Sequence, residues 1–196
     1  MPRKKILSDA DALEAALEII HGEGPEALTF SALAKASGLS GATLVQRFGG
    51  KERLKQAALL HAWDALDKKT AWLAAEKPKT PEGAIALLVA LSGSYGGIEA
   101  YAEGLMVLRE DFRDPVLRAR GAAWKVVLCG ALDACFAATP GAPQDIGLLL
   151  ASHWQGSLLW WGFGPDRPVQ DFVADSLRRF MSAVVGPSSS GTGRSP

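Results

Sequence analysis

The stretch Thr29–Leu54, TFSALAKASGLSGATLVQRFGGKERL, decides the fold. Thr29 offers a hydroxyl to cap a short helix that buries Leu33 and Ala34 and stops at Gly38, where a left-handed residue ends a helix at little cost. Leu39 plugs the core, and Ser40 caps a second short helix in which Ala42, Leu44, Val45 and Phe48 alternate with Gly41, Thr43, Gln46 and Arg47. Gly49-Gly50 then turns the chain into a third helix beginning at Lys51. A two-turn helix cannot fold alone. One whose exposed side is small near its N-terminus, with hydrogen-bonding side chains beyond, suits the DNA major groove.

Working outward, Ala16, Leu17 and Ile20 give an apolar first helix, Gly24-Pro25-x-x-Leu28-Thr29 a turn, and Gly38-Leu39-Ser40, Thr43-Leu44, Phe48 and Gly50-Lys51-Glu52-x-Leu54 the rest. From about Ala12 to Leu54 this resembles, without a gap, the TetR family of bacterial transcriptional repressors. The pattern fixes residue types over more than forty positions, which a lone helix-turn-helix pattern does not do. The resemblance implies an all-α homodimer with an N-terminal three-helix DNA-binding domain and a C-terminal helical domain for dimerisation and effector sensing. The corresponding boundaries are residues 1–54, 55–186 and a disordered tail, 187–196, whose SSSGTGRSP has nothing to bury.

On the recognition helix the candidate DNA contacts are Ser40, Gly41, Ala42, Thr43, Gln46 and Arg47. Gln46 suits adenine, Arg47 guanine or a phosphate, and Gly41 and Ala42 close approach to a thymine methyl. Thr29, Thr43 and Lys51 are candidate phosphate contacts. One position departs from the family pattern: two residues after Thr43, where a tyrosine usually grips a phosphate, this chain has Val45.

Lys plus Arg and Asp plus Glu both number 21, so there is no global basic field to hold nucleic acid. Local charge counts for more, and Arg3, Lys4, Lys5, Lys35, Arg47, Lys51 and Arg53 all fall within or just beyond the first quarter. The longest apolar run, Ile146 to Phe163, is broken by Ser152, His153, Gln155 and Ser157 and falls short of a membrane span. Arg3-Lys4-Lys5 leads into Asp9 and Asp11 rather than an apolar block, so no signal peptide is read and a cytoplasmic location is expected. Cys129 and Cys135, six apart on one helix, are badly placed for a disulfide.

Ser8-Asp9-Ala10-Asp11 predicts a capped start for the first helix, which runs to about His21. A long connector is expected from Lys51 to about Glu76, followed by helices over 81–95, 99–109, 115–138, 143–163 and 168–185. In the penultimate helix Ile146, Leu149, Leu150, Trp154, Leu158 and Trp161 share one face, and Leu148, Leu159 and Trp160 lie elsewhere. In the last, Phe172, Val173, Leu177, Phe180, Met181 and Val184 form a stripe. This pair reads as core helices or as a subunit interface; the resemblance implies the interface, with two heads on a palindromic operator.

The resemblance also implies an effector pocket between the helices after the connector. Tyr95, Tyr101, Met106, Trp124, Leu128, Phe136, His153, Trp154 and Trp160 are its candidates, an apolar and aromatic set suited to a hydrophobic or planar molecule, though each also suits plain core packing. No cofactor is implied. Gly49-Gly50-Lys51 lacks the earlier glycine and the hydroxyl of a phosphate loop. His21, His61 and His153 have no second ligand at metal spacing, and no catalytic nucleophile or carboxylate pair stands out. The competing reading is an all-α small-molecule carrier or enzyme with a non-functional DNA-binding head, or an adaptor using its aromatic C-terminal helices.

Overall fold

The computed structural model describes residues 7–93 and 97–185; Tyr95 and the 187–196 tail lie outside them. Every regular element among the described residues is helical: α1 Asp9–Glu23, a 3-10 turn Pro25–Ala27, α2 Phe30–Ser37, α3 Gly41–Phe48 and α4 Lys51–Glu76. There follow α5 Pro81–Ser92, α6 Ile98–Arg113, α7 Pro115–Asp133, a 3-10 turn Ala134–Phe136, α8 Ile146–Phe163 and α9 Val169–Val184. None is long and apolar enough to cross a membrane.

Local chemistry explains most boundaries. Ser8 Oγ accepts from the Asp11 N–H at 3.1 Å while the Asp11 carboxylate accepts from the Ser8 N–H at 2.9 Å, a closed capping box. Thr29, Ser40 and Thr80 cap α2, α3 and α5 through their hydroxyls at 3.0–3.1 Å. Gly38 ends α2 at φ 73°. Two limits differ from those the sequence predicts. α6 extends beyond the predicted Arg109 to Arg113, because Asp114 both ends it and caps α7 by accepting from the Val116 N–H at 2.7 Å. α8 begins at Ile146 rather than Pro143, since its own Asp145 provides no side-chain cap and Asp133 accepts from the Gly147 N–H at 2.7 Å instead.

The chain forms two compact units that interleave in sequence, Met1–Lys69 with Tyr95–Lys125 and Thr70–Ser94 with Val126–Pro196. In the first, Ala16, Leu17, Ile20, Leu28, Leu33, Leu44, Leu54, Ala58, Leu59 and Leu117 make one buried cluster. Burying each leucine contributes about 1.5–3 kcal/mol, which holds the two short helices that could not stand alone. α6 packs on α1 and on the turn that follows it. In the second unit, α9 packs on both α5 and α8. Trp154 donates its indole N–H to Ser92 Oγ at 2.8 Å, satisfying both groups inside the core.

The broad apolar character of α8 divides cleanly. Ile146, Leu150, Trp154, Leu158 and Trp161 are buried, whereas Leu148, Leu149, Leu159, Trp160 and Phe163 are exposed. Leu149 therefore stands outside the buried face that the sequence periodicity assigned to it. On α9, Val173, Leu177 and Met181 are buried and Phe172, Phe180 and Val184 are half-buried.

Candidate nucleic-acid interface

α3 presents a narrow outward face. Leu44 is fully buried and anchors the helix, while Ala42, Val45 and Gln46, three and four residues apart, are exposed together. Gly41 and Thr43 are half-buried beside them, and Ser40 is exposed at the helix start. Nothing on this face is larger than Gln46, so a backbone can approach a groove floor closely. Ser40 Oγ and Thr43 Oγ1 lie 2.8 Å apart and share a hydrogen bond, so the two hydroxyls form one unit.

Two expected cations are already engaged. The Arg47 guanidinium donates to the Leu7 carbonyl at 2.9 Å and to the Asp9 carboxylate at 3.1 Å. Position 47 lies on the side of α3 turned toward the start of α1, whereas Gln46, one residue earlier, faces outward. Lys51 donates to the Glu26 carbonyl at 3.2 Å and pairs with its carboxylate at 3.3 Å, both groups remaining accessible. Thr29 Oγ1 is committed as the α2 cap and keeps its O–H to donate. The residue whose exposure the sequence left unread is Val45, at 47% accessible.

Behind the head, the end of α6 grips α4. Lys55 donates to Glu110 at 2.9 Å, with both side chains 11% accessible, and also pairs with Glu52 at 3.0 Å. Gln56 donates to Asp114 at 2.7 Å, and the Trp63 indole donates to Asp111 at 3.0 Å. Further along, Arg120 pairs with Asp64 at 3.1 Å and with Asp67. A polar groove of about 580 Å³ beside these pairs is lined by both charge signs, including Arg53, Arg113, Glu26 and Glu52.

The three acids of α6 and its end titrate in opposite senses. Hydrogen bonding to Lys55 holds the Glu110 carboxyl below its ordinary range, and the Gln56 amide does the same for Asp114. Burial pushes Asp111 up, against the Trp63 N–H. Glu110 and Asp114 thus contribute stability above the ordinary carboxylate range that is lost as pH falls through their depressed values. Asp111 contributes in the other direction: its part is present at low pH and lost as pH rises through its raised value. Asp111→Asn keeps an acceptor for Trp63 and removes that cost, so its melting temperature should exceed wild type at pH 7. The advantage should disappear below about pH 4; a constant offset at all pH values would mean the carboxyl charge is not the cause.

The described candidate effector residues are divided between the two units. Tyr101, Met106 and Trp124 belong to the first unit and Leu128, Phe136, His153, Trp154 and Trp160 to the second. Tyr101, Trp124, Leu128, Phe136 and Trp154 are buried, and Met106 and Trp160 are exposed. Trp124 sits on Trp63 with centroids 5.7 Å apart. His153 stacks on Phe180 at 4.4 Å, lies 2.9 Å from Ser176 Oγ, and helps line a groove of about 360 Å³ with Arg167, Phe172 and Arg179. Among the described residues no group of three or more His, Cys, Asp or Glu could hold a metal ion.

Comparison with known proteins agrees with this architecture. Residues 12–58 match the model for bacterial regulatory proteins of the tetR family. No curated protein matches the sequence. Among solved structures, one similar chain is a TetR-family candidate regulator of Mesorhizobium loti MAFF303099, with 18% identity, a TM-score of 0.66 and coverage of 90% of this chain and 98% of that one. A candidate transcriptional regulator of Saccharomonospora viridis, crystallised in complex with choline, has 20% identity and a TM-score of 0.68, over 87% of this chain and 93% of that one. AmtR of Mycobacterium smegmatis has 20% identity and a TM-score of 0.57, over 96% and 91%. At these identities the likeness establishes the fold.

Proposed function

We infer that this chain, a TetR-family transcriptional regulator by its N-terminal domain and its fold, is a repressor that binds a palindromic operator as a homodimer and leaves it when a small molecule binds. The observation that carries the reading is the α3 face of Ala42, Val45 and Gln46, exposed on a helix whose other side is fixed in the core. Gln46 reads a base edge, and adenine suits its amide. Ala42 and Val45 lie against thymine methyl groups, so Val45 exchanges a phosphate hydrogen bond for an apolar base contact. Ser40, Gly41 and Thr43 line the approach, and Thr29, Thr43 and Lys51 hold phosphates, Lys51 by swinging from its accessible pair with Glu26.

Dimerisation through α8 and α9 accounts for Leu148, Leu149, Leu159 and Trp160, which are exposed in the single chain. Repression is steric: the dimer occupies its promoter. An effector acts by shifting α4, and the Lys55–Glu110, Gln56–Asp114 and Trp63–Asp111 contacts are the coupling through which α6 moves it. The apolar and aromatic residues of the C-terminal region favour a hydrophobic or planar effector.

Gln46→Ala tests the reading. Binding to the selected operator should weaken by about 1–3 kcal/mol, with relaxed preference at one base position in each half-site, the two positions related by the dyad. Uniform weakening on every duplex would reassign Gln46 to the phosphates, and relaxation on one side only would contradict the symmetric dimer.

A further inference from the structure

Along α9, Ser176, Arg179 and Phe180 follow Phe172 at helical spacing, so the four side chains share one side of the helix. His153 of α8 and Arg167 of the loop between the two helices join them around a groove of about 360 Å³. That volume sits at the small end of the range for sites that take small organic molecules, roughly 300–1,000 Å³. All six residues belong to one compact unit.

The uncharged polar groups of the groove are spent on one another. Ser157 Oγ donates to the His153 carbonyl at 2.8 Å, so it meets Ser176 Oγ, also 2.8 Å away, as an acceptor. The Ser176 hydroxyl therefore donates to Ser157 and accepts from the His153 Nε2–H at 2.9 Å. What remains to meet a ligand is guanidinium. Arg167 gives Asp175 one N–H at 2.7 Å and keeps further donors, and Arg178, which does not line the groove, bonds the same carboxylate at 3.2 Å. Arg179 bonds no carboxylate among the described residues, and no acid is among the residues lining the groove.

The walls are flat. His153 stacks on Phe180 with centroids 4.4 Å apart and planes at 14°, and the Arg167 guanidinium lies over the Phe172 ring, 5.2 Å from its centroid. His153, Phe172 and Phe180 are half-buried, so each keeps part of its surface open.

We propose that this groove binds a small aromatic carboxylate, its ring against the His153–Phe180 and Arg167–Phe172 pairs and its carboxylate on the Arg179 guanidinium. A planar guanidinium matches a planar carboxylate through two parallel N–H bonds. An inorganic anion would leave the apolar walls unused, and an uncharged aromatic would leave the cation unpaired. Binding is measured without DNA, so it stands or falls apart from operator recognition.

The probe is benzoate, titrated calorimetrically into the full chain beside cyclohexanecarboxylate, benzamide and inorganic phosphate. Benzoate should bind with saturation. Benzamide and phosphate should each bind at least about tenfold more weakly, because each lacks one half of the match, and cyclohexanecarboxylate should bind more weakly because it is not flat. Arg179→Gln should weaken benzoate by about tenfold or more. Arg178→Gln, the same charge change on the neighbouring side chain, should alter it by no more than about twofold. Both positions are exposed, so neither replacement removes core packing. Absence of saturable benzoate binding up to about 10 mM, ten times a millimolar Kd, overturns the proposal. So do equal losses in the two variants, or benzamide or cyclohexanecarboxylate binding as tightly as benzoate. If Arg179→Gln leaves benzoate binding unchanged and weakens self-association, the groove belongs to a contact between copies and the ligand assignment fails.

Discussion

Ala42→Glu should abolish operator recognition and leave the protein folded. The residue is exposed at the second position of α3, so no packing is lost, and a carboxylate in the first turn of a helix interacts favourably with its N-terminal partial charge. The same carboxylate faces the groove floor, blocks the close approach that Gly41 and Ala42 allow, and meets acceptors on the bases and anions on either side. Losing two contacts of about 1–3 kcal/mol each corresponds to a drop of about 30-fold or more in affinity. The same charge change at the exposed Ala65 on α4 should cost far less. Mobility shift with both variants, beside their thermal unfolding curves, is decisive: equal losses for both would mean that net charge governs binding and the α3 face does not.

Gly83→Ala should destabilise the second unit by about 3 kcal/mol or more, where helix propensity alone predicts a gain of about 1 kcal/mol. Gly83 lies in the first turn of α5, and its N–H donates to the Thr80 cap. A methyl group there would stand 1.9 Å from the Pro78 carbonyl oxygen and 2.9 Å from its carbon, both backbone atoms that no side-chain rotation can remove. The turn that enters α5 exists only because this position has no side chain. Denaturant unfolding reads the sign directly, and a stabilised variant would show that the Pro78 turn yields. DNA binding by the head should be affected less than stability, because the first unit has its own buried cluster.

What the sequence made legible is what neighbours in sequence decide. Caps at Ser8, Thr29 and Ser40 are read three residues at a time, and the connector that starts at Lys51 is legible because Gly49 and Gly50 precede it. Other features depend on partners far along the chain. The bonds of Arg47 to Leu7 and Asp9 join residues about forty positions apart, which local sequence does not reveal. The start of α8 depends on a carboxylate from α7. The interleaving of the two units, with α6 packed against α1, follows from non-local packing that helical periodicity does not encode. Among the candidate site residues, the small outward face of α3 was readable from its composition, whereas the exposure of Val45 was not, because Val45 is as apolar as the core residues around it. The proposed effector residues were chosen for their aromatic character, a property shared equally by core and pocket, and Trp154 with its bond to Ser92 illustrates the core use.

The most direct measurement is selection of bound duplexes from a random pool by the purified chain, followed by sequencing of what is retained. A two-fold helix-turn-helix dimer predicts enrichment of an inverted repeat whose half-site centres lie about 34 Å apart or a multiple of that. An enriched single site without symmetry would contradict the dimer, and no enrichment even at low salt would contradict the claim that this head reads DNA.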